Sequence, residues 1–365
     1  MRMIFIYISF LFFLNCNSTE KIKLNLDNEI IIPKSYIVFN ITQNILIDGK
    51  DDELVWEKAK YSDDFIDIEG VKKPSQKTNV KMLWDNKYLY VFAKIYEEHI
   101  WADITKRDDV IYYNNDFEVF INPNNHVFSY GEIEINALGT EWDLYLNKPY
   151  RLKGKADSSW NIKGLKSAVN INGTINKSND IDKYWTVEMA IPLDEISKLK
   201  DPFDYNYPKA GDIWRINFSR VNWDFELNNG KYSRKKVNGK FLPEYNWVWS
   251  SQGLINMHVP ENWGFIQFSN KNFEIKKNYQ NSNQRVTERI LYALFRKISF
   301  KDLKHLKELK KNKELKFETI IVNNQEISCN FLKTENGFLI TANDYKNNIK
   351  ISISENGLIK NLDND

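Results

Sequence analysis

The groups in this chain that could do chemistry are carboxylates and aromatic rings. Its 365 residues include 49 Asp and Glu, eleven Trp and nineteen Tyr. Rings in that number exceed what one core needs, and proteins use them to stack on sugar faces or to fill interfaces. Two tryptophans stand beside a carboxylate, in Trp142-Asp143 and Trp223-Asp224. Each pair would make a sugar platform with an adjacent acceptor; the alternative for Trp142 is core packing, since it shares strand parity with Leu144 and Leu146. Two carboxylates about 5 to 9.5 Å apart could instead cleave a glycosidic bond, and spacing along a chain does not give that distance. Asp48, Asp51, Asp52 and Glu53 crowd one turn. Oxygen ligands at that density suit Ca²⁺, which takes six to eight at about 2.3 to 2.6 Å, although Asp-Gly-x-Asp-Asp is equally a favourable turn. Arg220 ends the alternating series Trp214, Ile216 and Phe218. A charge closing an apolar face needs a carboxylate or a ligand as partner, and the structural alternative is an ion pair with Glu134 or Asp143. The chain has no Gly-x-Ser-x-Gly elbow, His-Glu-x-x-His helix, phosphate loop or dinucleotide fingerprint, and its four histidines lack metal spacing.

The elements that must position these groups are mainly strands. Leu89, Val91, Ala93 and Ile95 alternate with Tyr88, Tyr90, Phe92 and Lys94; Phe117, Val119 and Ile121 with Asp116, Glu118 and Phe120; Ile133, Ile135 and Ala137 with Glu132, Glu134 and Asn136. Period two argues half-buried strands. Trp185, Val187, Met189 and Ile191 repeat it, and Asn-Pro, Asn-Gly and similar turns separate the runs. Many short strands with few helical stretches predict an all-β fold, a two-sheet antiparallel sandwich, over residues 36–268. A polar linker, 269–285, follows. Residues 286–365 read as a small helix-plus-sheet appendage: Ile290, Leu291, Leu294 and Ile298 share a helical face, Leu303, Leu306 and Leu309 continue at spacing three, and short strands end the chain.

The N-terminal end speaks to compartment. Arg2 precedes an apolar run from Met3 to Leu14, the charge and core of a signal peptide over 1–15. Phe13-Leu14-Asn15-Cys16 is similar to a bacterial lipobox, with Asn15 where a small residue is usual. Acylation of Cys16 would leave 16–35 as a tether to the envelope, most simply the outer membrane; the alternative is an ordinary cleaved signal with Cys16 incidental. The only other cysteine is Cys329, so no disulfide framework exists. A formal net charge of +2 supplies no field that would attract nucleic acid.

Seven segments together resemble the family 9 carbohydrate-binding modules. In order they are Ile47-Asp48-Gly49-Lys50-Asp51-Asp52-Glu53 with Trp56, Leu83 to Val91, Asn115 to Pro123, Glu132 to Ala137, Trp185 to Pro192, Trp214 to Arg220, and the closing Trp263-Gly264-Phe265-Ile266-Gln267-Phe268. The resemblance implies a jelly-roll-like sandwich, a sugar site at one end of it and, in some members, structural calcium. It also implies an aromatic clamp whose first ring falls at Tyr113. The second falls at Met257, which has no flat π-face, so Trp247, Trp249 or the neighbouring His258 would have to substitute. Polar positions that bond sugar hydroxyls fall at Glu134 and Asn136, with Arg220 compensating for an arginine that Glu134 replaces.

The expected function is glycan binding by an envelope lipoprotein that supports polysaccharide capture or degradation. Its partners would be oligo- or polysaccharides and other polysaccharide-utilisation proteins, with membrane contact through the lipid alone. The alternatives are a glycoside-active enzyme or enzyme subunit, and a structural or haem-binding sandwich. The anchor gives the first test. Cys16→Ser should move the protein from the detergent-extracted membrane fraction to the periplasmic one; unchanged partition would contradict lipidation at Cys16.

Overall fold

The computed structural model describes residues 21–26, 29–201, 205–270 and 283–362. The signal segment, Cys16 and most of the linker lie outside them. The chain is mostly β. The main strands are β1 (Ser35–Asn40), β2 (Thr78–Trp84), β3 (Tyr88–Tyr96), β4 (Asp116–Asn122), β5 (Tyr130–Asn136), β6 (Glu141–Leu146), β7 (Lys166–Asn172), β8 (Tyr184–Pro192), β9 (Ile213–Asn222), β10 (Tyr245–Val248) and β11 (Gly264–Ser269).

All of them belong to one 13-stranded sheet, whose path runs β6-β5-β4-β9-β11-β1-β2-β3-β8-β7. This corrects the expected pair of antiparallel sheets. The reason is β1, which pairs in parallel with β11 from Ser35↔Phe265 and with β2 through Phe39↔Leu83 and Asn40↔Trp84. It joins the two halves into one mixed sheet. The sheet curls so that both halves contribute to one core: Val91, Val187 and Met189 come from one side, and Phe117, Val119, Ile133 and Phe218 from the other. These are the residues that the period-two pattern assigns to the buried face.

The outer face of β2, β3 and β8 is covered by a short helix, Leu54–Lys58, whose Trp56 packs on Phe92 at 5.8 Å. Glu188 locks it down. Its carboxylate accepts bonds from Trp56 Nε1 (3.0 Å), Asp48 N (2.9 Å) and Gly49 N (3.0 Å). Gly49 has φ +83°, and a Cβ there would come within 2.8 Å of Asn170 N, so the acidic turn needs glycine at this place.

After the main sheet, α1 (Asn283–Phe300) packs on a smaller sheet built on β12 (Gln325–Lys333), β13 (Phe338–Asp344) and β14 (Ile349–Ser354). The helix buries Ile290, Leu291, Leu294 and Ile298 as the spacing predicts. The spacing-three leucines continue that face on a 3₁₀ helix, Lys304–Glu308, whose repeat is three: Leu303 and Leu306 are buried in the same core and Leu309 packs beside them. The described part of the segment expected to be a tether packs on this unit: Ile22 bridges Phe317, and Leu24, Leu26 and Ile30 join its core.

The two units meet at Glu261, fully buried between Arg151 (2.6 Å) of the main sheet's loops and Arg296 (2.9 Å) of α1. Burial pushes the Glu261 carboxyl up, but the two guanidinium groups outweigh it and hold its pKa below the ordinary value. A carboxylate of this kind stabilises the fold fully above its unfolded pKa of about 4.3. That contribution is lost as pH falls through the lower folded value. Glu261→Gln should therefore lower stability by about 3 kcal/mol near neutrality, as expected for breaking a buried pair, and flatten the acid limb of urea midpoints measured from pH 3 to pH 7. Parallel limbs for the two proteins would contradict this role.

Candidate functional site

The faces of β4 and β5 turned away from the core carry the polar half of each alternation, yet every residue of both strands is buried. Cross-strand pairing sets Glu118 opposite Glu134 and Phe120 opposite Glu132, and β6 adds Trp142 beside Glu134 and Leu144 beside Glu132. These side chains form the floor of a cleft of about 500 Å³. Tyr112 walls one side, stacked on Trp142 at 6.4 Å and 21°. On the other, Tyr150 meets His258 edge-on at 4.5 Å, above Met257. A larger hollow of about 890 Å³ beside β12 is lined by Lys21, Lys23, Lys313 and Lys316, by Glu314, Asn330 and Thr341, and by apolar residues. It is lined by one carboxylate, Glu314, against four in the acidic cleft, where the charge is concentrated.

Among the described residues, no Lys or Arg comes within ion-pair distance of Asp116, Glu118, Glu132 or Glu134; only His258 Nε2 lies near, 4.0 Å from Glu132. His258 is no counter-ion near neutral pH. Burial, with Arg151 nearby, depresses its pKa to about 4, and its Nδ1 is paired with the Tyr130 hydroxyl at 2.9 Å. Burial likewise raises the carboxyls, Glu118 to about 7 and Asp116, Glu132 and Glu134 well above their ordinary values, with mutual repulsion adding to the last three. Asp116, Glu118 and Glu134 each place one oxygen within 4.8 Å of the others. The cleft thus offers buried carboxyl groups that accept or donate hydrogen bonds according to protonation, flanked by ring faces. Such a surface suits a polyhydroxylated ligand.

Residues 47–206 match the family model described as carbohydrate family 9 binding domain-like. This segment of the chain is thus similar to a family 9-like domain. Among solved structures it is similar to a family 9 carbohydrate-binding module from Caldicellulosiruptor kristjanssonii in complex with cellotriose, at 15% identity and TM-score 0.43, covering 68% of this chain and 100% of that one. The same organism's module in complex with glucose gives 16% identity and TM-score 0.42, with 67% and 100% covered. A Bacteroides uniformis protein described provisionally as carbohydrate-binding gives 15% identity and TM-score 0.46, with 65% and 99% covered. No curated protein matches the chain in sequence.

Of the residues expected from sequence to form a site, Glu134, Trp142 and His258 line the cleft. The other expected residues lie elsewhere. Tyr113 is turned outward, with the Arg234 guanidinium 4.2 Å over its ring; the neighbouring Tyr112 faces the cleft, because the 3₁₀ turn Ile111–Tyr113 rotates successive side chains away from strand parity. Asn136 is fully buried, with its amide on Ile104 O (2.8 Å) and its oxygen accepting from Leu138 N and Thr140 N, so it organises a loop. Asp143 lies on the opposite sheet face from Trp142, as consecutive strand residues must. It is paired with Arg107 and accepts from Ile162 N at 2.6 Å. Trp223 packs with Trp101 and Val221 and donates to Tyr112 O at 2.8 Å, supporting the wall from behind. Trp247 and Trp249 are core residues. In the acidic turn, Asp48 pairs with Lys50, and Asp51 with Lys81 (2.6 Å) and Tyr61 (2.9 Å); the three carboxylates that do converge lie on β4 and β5. Reasoning from sequence missed Tyr112, Glu118, Glu132 and Tyr150. For Glu118 and Glu132 the signal was present, since each shares alternating parity with a residue singled out.

Arg220 has a structural role, with a partner other than those expected. It is fully buried, 3.4 Å from Glu97, and donates to Tyr96 O (2.7 Å), Gln76 Oε1 (2.7 Å) and Asn222 Oδ1 (2.9 Å). Burial lowers its pKa to about 10, partly opposed by Glu97. Arg220→Met should cost about 3 to 5 kcal/mol by stranding a buried carboxylate, and adding Glu97→Gln should recover part of that loss in urea melts. Unchanged stability together with lost ligand binding would contradict the structural assignment.

Proposed function

We propose that this protein binds carbohydrate in the cleft over β4, β5 and β6. The observation that carries the reading is the juxtaposition of Glu118, Glu132 and Glu134 with the stacked Tyr112 and Trp142 in one 500 Å³ hollow. Sugars present hydroxyls at the edge and C–H groups on the face of the ring, and this floor meets both: carboxyls bond the edges and the indole covers a face. The family model matched by residues 47–206 supports the same class of ligand. Held at the envelope by lipid on Cys16, the protein would retain polysaccharide for other polysaccharide-utilisation proteins to degrade.

A glycan array of oligosaccharides, cello-oligosaccharides included, followed by calorimetry on the hits tests the reading. Trp142→Ala should weaken binding at least tenfold, matching the roughly 1.4 kcal/mol or more that a ring contact contributes. Tyr113→Phe should leave it unchanged. The absence of saccharide binding, or binding indifferent to Trp142→Ala, would contradict the proposal.

A further inference from the structure

The floor of the cleft has a feature that hydrogen bonding to sugar does not require. Like charges directly opposite each other on adjacent strands destabilise a sheet, yet Glu118 faces Glu134 across β4 and β5, and Asp116 stands two residues before Glu118 on the same face. A buried carboxylate is tolerated when a cation or hydrogen-bond donors balance it. Elsewhere in this chain that balance is met, as at Glu188, Glu261 and Asp143. Here it is not. Asp116 is 0% exposed; its Oδ1 accepts from Val221 N at 3.2 Å, and its Oδ2 has no hydrogen-bond partner. Glu132, outside the trio but opening on the same cleft, is also buried with Oε2 lacking a hydrogen bond.

We infer that Asp116, Glu118 and Glu134 hold a hard divalent cation of the calcium class in the floor of the cleft. The geometry fits. Two oxygens on opposite sides of an ion bound at about 2.4 Å are about 4.8 Å apart, and the three carboxylates place oxygens within 4.8 Å of one another. The donors are oxygen only, which favours calcium-like over thiolate- or imidazole-seeking metals. With one oxygen each, the carboxylates supply three of the roughly six to eight oxygens such an ion takes. Glu118 and Glu134 line the cleft, so an ion they hold would face it. Resting on the carbohydrate reading for this point alone, vicinal sugar hydroxyls would complete the shell, tying saccharide affinity to the ion.

Terbium(III) luminescence tests the site without any sugar, because Tyr112 and Trp142 beside it would sensitise a bound lanthanide. With the whole chain, excitation of aromatic rings should give terbium emission that added Ca²⁺ displaces. Asp116→Asn and Glu134→Gln should each reduce that emission at least tenfold, and Asp52→Asn in the acidic turn should leave it unchanged. Both variants are nearly isosteric, so melting in EDTA should show them as stable as the unaltered chain or more so. Ca²⁺ should raise the melting temperature of the unaltered chain by several degrees and of neither variant. No sensitised emission, or emission lost in Asp52→Asn and kept in Asp116→Asn, would overturn the site. Saccharide binding equal in Ca²⁺ and in EDTA would overturn the shared shell, whereas terbium binding with no saccharide binding would leave the ion site standing and remove the carbohydrate reading.

Discussion

Carboxyl groups on β4 and β5 face away from the core and are nevertheless shut off from water, and the rest of the site depends on this constraint. Phe117, Val119, Ile121, Ile133 and Ile135 fix the other face of the same two strands in the core. A one-residue slip of either strand would drive glutamates into that core and bring apolar residues out. Register is therefore firmly set, and Glu118 cannot move away from Glu134. The covering turns that carry Tyr112, Tyr150 and Met257-His258 then exclude solvent without supplying positive charge. Beyond the N–H groups of Tyr112 and Val221, neutralisation must come from protons, from a cation or from a ligand that donates hydrogen bonds. A face built in this way is prepared for a partner.

Much of this was legible in the sequence. Period-two alternation identified the strands and which side of each meets the core, because the hydrophobic effect acts on every residue of a strand in turn. It also grouped Asp116 with Glu118, and Glu132 with Glu134. What alternation could not convey is how deeply the polar side would be covered, since burial there comes from loops distant in the chain. Loop residues failed for the same reason. Tyr113 was expected where Tyr112 stands, as a 3₁₀ turn obeys neither strand nor α-helix periodicity. Asp143 was coupled to Trp142 by adjacency in sequence, which on a strand places the two on opposite faces. The place of Arg220 at the end of an apolar face demands a partner, but Glu97 reaches it only through the fold.

The single sheet has a comparable origin. Whether two halves of a sandwich are separate depends on one strand, and nothing in Ser35–Asn40 distinguishes a seam from an edge. Its pairing in parallel with both β11 and β2 is a tertiary fact. The same segment follows the stretch that packs on the C-terminal unit, and Glu29 reaches Arg296 and Lys301 there. The appendage is thus held to the main sheet by Glu261 and to the N-terminal lead by Glu29.

Carbon-13 shifts of glutamate side-chain carboxyls report protonation and ligation one residue at a time. If the buried acidic face is the binding site, a saccharide that binds will move the resonances of Glu118, Glu132 and Glu134 and leave that of Glu188, on the other half of the sheet, where it was. Binding in the same sample with those three resonances unmoved would contradict the account.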